Sequence, residues 1–223
     1  MQESETYEVF DQAGDIKVAI LEVQDFNFET LKFSDILSML TSQLCYVIDK
    51  KTGKKVPGIV FARGPAVAVL ILLESEGKTY TVLTEQVRVP VGRPVLELPA
   101  GMLDDIVGTA VREVEEETGI ELNLDDMVDL TSFLEPSTGY KVIPSPGGCD
   151  EELSLLLYRG SVSADVIKQL QGKETGLRED GELIKVHVVP YETLWRATPD
   201  AKVLMSIAIY EMAKKEGLLP HKN

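Results

Sequence analysis

Eight consecutive apolar residues, Ala66-Val67-Ala68-Val69-Leu70-Ile71-Leu72-Leu73, run through Glu74 into Ser75-Glu76-Gly77-Lys78 and then into a second stretch rich in Val, Leu and Thr, residues 79–86. An unbroken apolar run of this length is what a fully buried strand requires, and Ser-Glu-Gly-Lys is turn chemistry, so the two stretches predict a buried hairpin. Further strands are expected at 96–99, 127–135, 153–160 and 183–189. Helices are expected at 109–118, 164–171 and 199–216. Gly119 stands where a left-handed helix C-cap is usual, and Thr198, Pro199 and Gly217 read as N-cap, first helical residue and stop of the last helix. Trp195 reads as core. Mixed strands with helices at this spacing imply an α/β sandwich.

Residues 1–57 read as a separate strand-rich appendage, and residues 58–223 as the main domain. Strand-like runs lie at 16–23 and 43–49, Ser34 is placed to cap a short helix through residue 40, and Lys51-Thr52-Gly53-Lys54 predicts a turn into 56–62. The apolar runs 16–21 and 44–48 need a surface to cover them, and a second copy of the chain is the economical one. With 44% hydrophobic and 26% charged residues over 223 positions, the composition is that of a water-soluble globular chain. A formal charge of -15 argues against nucleic acid as a partner, because backbone binding needs clustered Lys and Arg. No apolar run approaches the roughly 18 residues that span a bilayer, so no membrane is expected. Cys45 and Cys149 make no disulfide framework. Glu3, Glu5 and Glu8 near the start resemble neither a signal nor a transit peptide, which favours the cytoplasm; a plastid protein without its transit peptide reads the same way.

The strongest chemical signal is Arg112-Glu113-Val114-Glu115-Glu116-Glu117-Thr118-Gly119-Ile120. At about 100° per residue on a helix, Glu113, Glu116 and Glu117 share an arc of roughly 100°, with Glu115 on the opposite side. Like charges three and four apart weaken a helix by roughly 0.2–0.5 kcal/mol per pair, so three carboxylates on one exposed face call for a hard divalent cation, Mg²⁺ or Mn²⁺. A merely solvated acidic face is the alternative for the glutamates alone. Upstream stands Glu97-Leu98-Pro99-Ala100-Gly101, whose glycine lets the backbone approach a metal or phosphate closely.

The pattern Arg-Glu-hydrophobic-x-Glu-Glu-x-Gly-hydrophobic after a glycine loop resembles the signature box of the Nudix hydrolases. Together with Thr84-Glu85-Gln86-Val87-Arg88-Val89-Pro90 and Ser145-Pro146-Gly147-Gly148-Cys149-Asp150-Glu151-Glu152, it is similar to the ADP-ribose and ADP-sugar diphosphatase branch, and more closely to its plant-type ADP-sugar diphosphatases. One departure is the spacing. Only ten residues, 102–111, separate Gly101 from Arg112, fewer than the family's usual number, which leaves Asp104 and Asp105 as candidates for the loop's acidic residue.

The resemblance implies an α/β/α sandwich with a mixed sheet and hydrolysis of ADP-ribose or ADP-glucose to AMP and sugar phosphate. It also implies a homodimer whose N-terminal parts complete the partner's site. Glu113 and Glu117 would be the leading metal ligands, Glu116 a direct or water-mediated one, and the Ala100 or Gly101 carbonyl a further oxygen. Arg112 reads as a clamp that orients carboxylates. The general base is expected from a mobile loop, with Glu151 first and Glu152 second. Arg88, at a strand end, can present a bidentate fork to the substrate phosphates, and Arg63 is a weaker candidate. Glu97 would pair with an arginine or contact substrate. Two rivals stand beside this reading: hydrolysis of another nucleotide conjugate, and a sensor that binds a nucleotide sugar without turnover. The second predicts losses among the box glutamates, and all are present.

Overall fold

The computed structural model describes residues 7–10, 16–21, 42–49, 55–61, 63–102, 106–122, 126–176 and 183–220. It comprises two compact units, Met1–Gly64 with Ser145–Glu151, and Pro65–Pro144 with Glu152–Asn223. The helix expected from Ser34, the turn at 51–54, and Asp104 and Asp105 lie outside the described residues.

In the first unit, β1 (Tyr7–Phe10), β2 (Ile16–Leu21), β3 (Ser42–Asp49) and β4 (Lys55–Phe61) form an antiparallel sheet in sequential order. Phe61 also forms an isolated bridge with Cys149, and its amide donates to the Gly148 carbonyl at 2.7 Å. The loop at 145–151 thus closes against the end of β4.

The second unit is built on β5 (Ala66–Ser75), the buried strand expected from its composition, in which residues 66–73 are all 4% exposed or less. It turns through Glu76 and Gly77, both at positive φ as a type I′ hairpin demands, into β6 (Lys78–Arg88). Next come β7 (Arg93–Glu97), β8 (Ala100–Met102), α1 (Ile106–Thr118), β9 (Met127–Asp129), β10 (Leu153–Ser161) and α2 (Ala164–Leu170). The series ends with β11 (Glu174–Thr175), β12 (Ile184–Pro190), α3 (Tyr191–Leu194) and α4 (Ala201–Lys215). Strand order is β11-β12-β6-β5-β10-β9, with β7 on β6 and β8 on β5. β10 runs parallel to β5 and the other pairings are antiparallel, so the sheet is mixed.

Alternation along β5 sends side chains into two cores. Ala68, Leu70 and Leu72 join Leu83, Leu155, Leu194, Val203 and Tyr210 on the face covered by α3 and α4. Val67, Val69 and Ile71 join Val82, Ala110, Val114, Leu170 and Val186 on the face covered by α1 and α2. Covering both faces is what makes the continuous apolar run obligatory. The result is the α/β/α sandwich expected from the sequence.

Three local expectations are corrected. The strand expected over 127–135 stops at Asp129, because its carboxylate accepts from the Thr131 and Ser132 amides at 2.8 and 3.2 Å and bends the chain into a 3₁₀ turn at Thr131–Phe133. The last helix is capped by Asp200, whose Oδ1 accepts from the Lys202 amide at 3.2 Å. Thr198, expected there, is buried, and its hydroxyl donates to the Leu96 carbonyl at 2.5 Å. Trp195 is 62% exposed and lies outside the core, since α3 directs Leu194 inward in its place.

Candidate functional site

Strand β8 and helix α1 build the site. Gly101 pairs with Val67 and Ala100 with Ala68, and the Pro99 carbonyl accepts from the Val69 amide at 3.0 Å, so the whole loop is stitched to the buried strand. Helix α1 turns Ala110 and Val114 into the core and closes at Gly119, whose amide donates to the Glu115 carbonyl at 2.7 Å. Thr118 secures the same end by donating to the Val114 carbonyl at 2.5 Å and accepting from the Ile120 amide at 3.2 Å.

This packing lays the first and last glutamates of the box against the β8 backbone. The Glu113 carboxyl lies where a Cβ on Gly101 would stand, so any larger residue would collide with it. One turn later, Glu117 Oε2 accepts from the Ala100 amide at 3.3 Å. The exposed helix face expected for these side chains is corrected for Glu117, which is only 6% exposed, while Glu116 and Glu115 are exposed. Thr175 of β11 donates to the Glu117 carbonyl, tying the end of α1 to the far edge of the sheet. Arg112 Nη2 stands 3.8 Å from Glu113 Oε1, at ion-pair distance. Among the described residues no three His, Cys, Asp or Glu side chains are already gathered as a metal cage.

Arg88 ends β6 and faces Glu97 at the end of β7, its Nε at 2.5 Å from Oε1 and its Nη2 at 3.2 Å from Oε2. Glu97 thus makes the arginine pairing that was one of the two roles expected of it. Burial pushes the Glu97 carboxyl up, but hydrogen bonds and charge from Arg88 and Lys202 outweigh it and hold the group below the usual carboxylate range. The Glu97 hydrogen bond holds the Arg88 guanidinium above its usual value against the opposing effect of burial, with the charges of Glu97, Glu117 and Asp200 adding to it. Lys202 Nζ lies 2.7 Å from Glu97 Oε2 and 3.1 Å from Asp200 Oδ1. Neither Lys202 nor Asp200 was legible as a site residue, because 105 residues separate Lys202 from Glu97 and no local pattern marks the pairing.

The remaining candidates divide between the two units. In the first, Arg63 Nε lies 2.8 Å from Glu151 Oε1, and the Arg63 and Gly64 amides donate to Asp150 Oδ1 at 2.6 and 3.1 Å. The Arg63 amide is the main cause, and the Gly64 amide a lesser one, holding Asp150 below the usual range. Glu152 belongs to the second unit and is exposed, with its carbonyl accepting from the Ala66 amide at 2.9 Å.

Residues 62–206 match the NUDIX domain model. The chain is 73% identical over 177 residues to "Nudix hydrolase 14, chloroplastic" of Arabidopsis thaliana, covering 78% of this chain and 57% of that one. It is 33% identical over 158 residues to "ADP-ribose pyrophosphatase" of Haemophilus influenzae, covering 66% of this chain and 64% of that one. The chain thus spans less than two thirds of either relative. A solved structure, "Crystal structure of ADP compounds hydrolase", shares the fold with a TM-score of 0.53 at 15% identity, over 91% of this chain and 97% of that one. With the glycine loop and the box helix locked together on one buried strand, and the domain model matched across most of the second unit, the chain belongs to the Nudix family.

Proposed function

We propose that the protein hydrolyses the pyrophosphate bond of ADP-sugars, ADP-ribose or ADP-glucose, to AMP and a sugar phosphate, with Mg²⁺ or Mn²⁺. The observation that carries this reading is the seating of the Glu113 carboxyl on the Gly101 backbone beside buried Glu117. Glu113 and Glu117, with the Ala100 or Gly101 carbonyl, form a donor set of hard oxygens that suits such a cation, and Glu116 adds a direct or water-mediated one. Mg²⁺ keeps several waters and is ordinarily held by one or two carboxylates plus substrate phosphates, so a site completed by the substrate needs no ready-made trio. When bound, the cation would neutralise diphosphate charge and acidify a water.

The chain's own groups do the rest. Arg112 holds Glu113 in place through charge. Arg88 presents its fork to the phosphates from a position fixed by Glu97, and Arg63 steadies Glu151. Glu151 takes the proton of the attacking water, with Glu152 as the second candidate for that role. The ADP-ribose activity named for the Haemophilus relative supports the substrate class. The chloroplast named for the Arabidopsis relative supports a plastid location over the cytoplasm. A dimer through residues 1–57 belongs to the same reading. The test is incubation of the full chain with ADP-ribose and with ADP-glucose in Mg²⁺. Equimolar AMP and sugar phosphate are expected; tight binding of either nucleotide without AMP release would mark a sensor.

A further inference from the structure

The structure assigns Lys202 as a positioning residue for phosphate capture, acting through Glu97 on the Arg88 fork; this rests on the reading of Arg88 as the phosphate contact. Glu97 Oε2 is shared between Arg88 Nη2 at 3.2 Å and Lys202 Nζ at 2.7 Å. Arg88 Nε and Nη2 are both committed to Glu97, and among the described residues Nη1 has no protein acceptor on a side chain 41% exposed. The fork is therefore held by two of its nitrogens on a side chain that remains partly open to solvent.

A single carboxylate opposite a single arginine would cancel its charge, leaving a neutral pair with little pull on a diphosphate. Lys202 changes that balance locally. Its ammonium shares Glu97 Oε2, so the carboxylate charge is divided between two cations and less of it is spent on Arg88, although with Asp200 counted the four groups sum to no net charge. The ammonium is itself fixed. Its side chain is 18% exposed, and Asp200 holds it by Oδ1 at 3.1 Å while capping α4 through the Lys202 amide. The Asp200 side chain is 9% exposed and its Oδ2 is buried without a hydrogen-bond partner, so Lys202 is its only cationic contact within hydrogen-bond distance among the described residues. A separate uncharged tie, Thr198 Oγ1 to the Leu96 carbonyl, pins the same turn to β7. The two ties are separable by mutation: one carries charge and the other only position.

The experiment uses the full chain with Lys202→Met, Lys202→Arg, Thr198→Val, Arg88→Ala and the Arg88→Ala/Lys202→Met double variant. The readouts are steady-state kinetics on ADP-ribose with Mg²⁺, equilibrium binding of ADP-ribose in EDTA, and thermal melting. Lys202→Met is expected to raise KM and weaken metal-free binding about tenfold, the worth of one modest charge-assisted contact, with kcat changed less than about twofold. Lys202→Arg restores most of the affinity. Thr198→Val lowers the melting temperature and leaves KM unchanged. The double variant binds no more weakly than Arg88→Ala, because the lysine acts through the arginine. Unchanged KM in a folded Lys202→Met protein, multiplying effects in the double variant, or an equal KM rise in Thr198→Val would each overturn the assignment while leaving Arg88 as the phosphate contact. Unchanged KM in Arg88→Ala would remove that contact and the assignment with it.

Discussion

Replacing Gly101 by alanine isolates the contact on which the proposed metal site depends. A Cβ at this position would overlap Cδ, Oε1 and Cγ of Glu113, the far end of a flexible side chain, and not the backbone. Gly101 is not among the glycines with left-handed φ, so alanine brings no backbone strain, and its pairing with Val67 needs no side chain. The cost to folding is therefore that of moving Glu113 off its present rotamer, about 0.5–1.5 kcal/mol. For a chain of this size that lowers the melting temperature by roughly 1–6 °C. The cost to turnover is much larger, because the carboxylate that moves is a leading ligand: a fall on the order of 10²-fold in kcat is expected, with a raised Mg²⁺ requirement. Glu113→Gln should show the same loss with the glycine intact. The double variant should be little worse than either single one, since both remove the same interaction. The assay is kcat against Mg²⁺ concentration on ADP-ribose, beside thermal melts. Wild-type kcat and Mg²⁺ dependence in a folded Gly101→Ala protein would refute the reasoning, and so would a large loss of thermal stability with turnover per folded molecule unchanged.

Glu117→Gln should lose at least about 10²-fold in kcat while its amide oxygen keeps the Ala100 contact; Glu115→Gln, on the exposed opposite side, should be nearly silent, and the reverse order of damage would show the helix face misassigned. Glu97→Gln should flatten the acid side of the stability curve. The folded carboxyl lies below its ordinary value of 4.5, so its contribution is complete above that pH and is lost as pH falls through the folded value; the gap in melting temperature between wild type and variant should narrow below about pH 4.5, and a constant gap would contradict the pairing. Deleting residues 1–57 should give a monomer or an aggregating chain with poor ADP-ribose affinity, whereas a full-length monomer at micromolar concentration that keeps its activity after truncation would end the dimer reading.

Patterns that repeat within a turn or a strand were legible in the sequence. The apolar run at 66–73, the turn at 75–78, the box helix and its glycine stop all lie within about ten residues of the features that announce them, because strand alternation, helix periodicity and caps are local physics. The resemblance to the Nudix box belongs to the same class of signal. Tertiary structure decided what depends on chain reversal. Trp195 sits on the outside because α3 directs Leu194 into the core, and Thr198 gave up its cap to reach Leu96, a partner 102 residues away. Glu117, expected on an open face, is buried because α1 packs on β8, a contact that no helical wheel contains. The Arg88, Glu97, Lys202 and Asp200 cluster draws on three separate elements, and a partly buried ionic network of this kind is set by which charges the fold brings together, a fact recorded nowhere in any one segment.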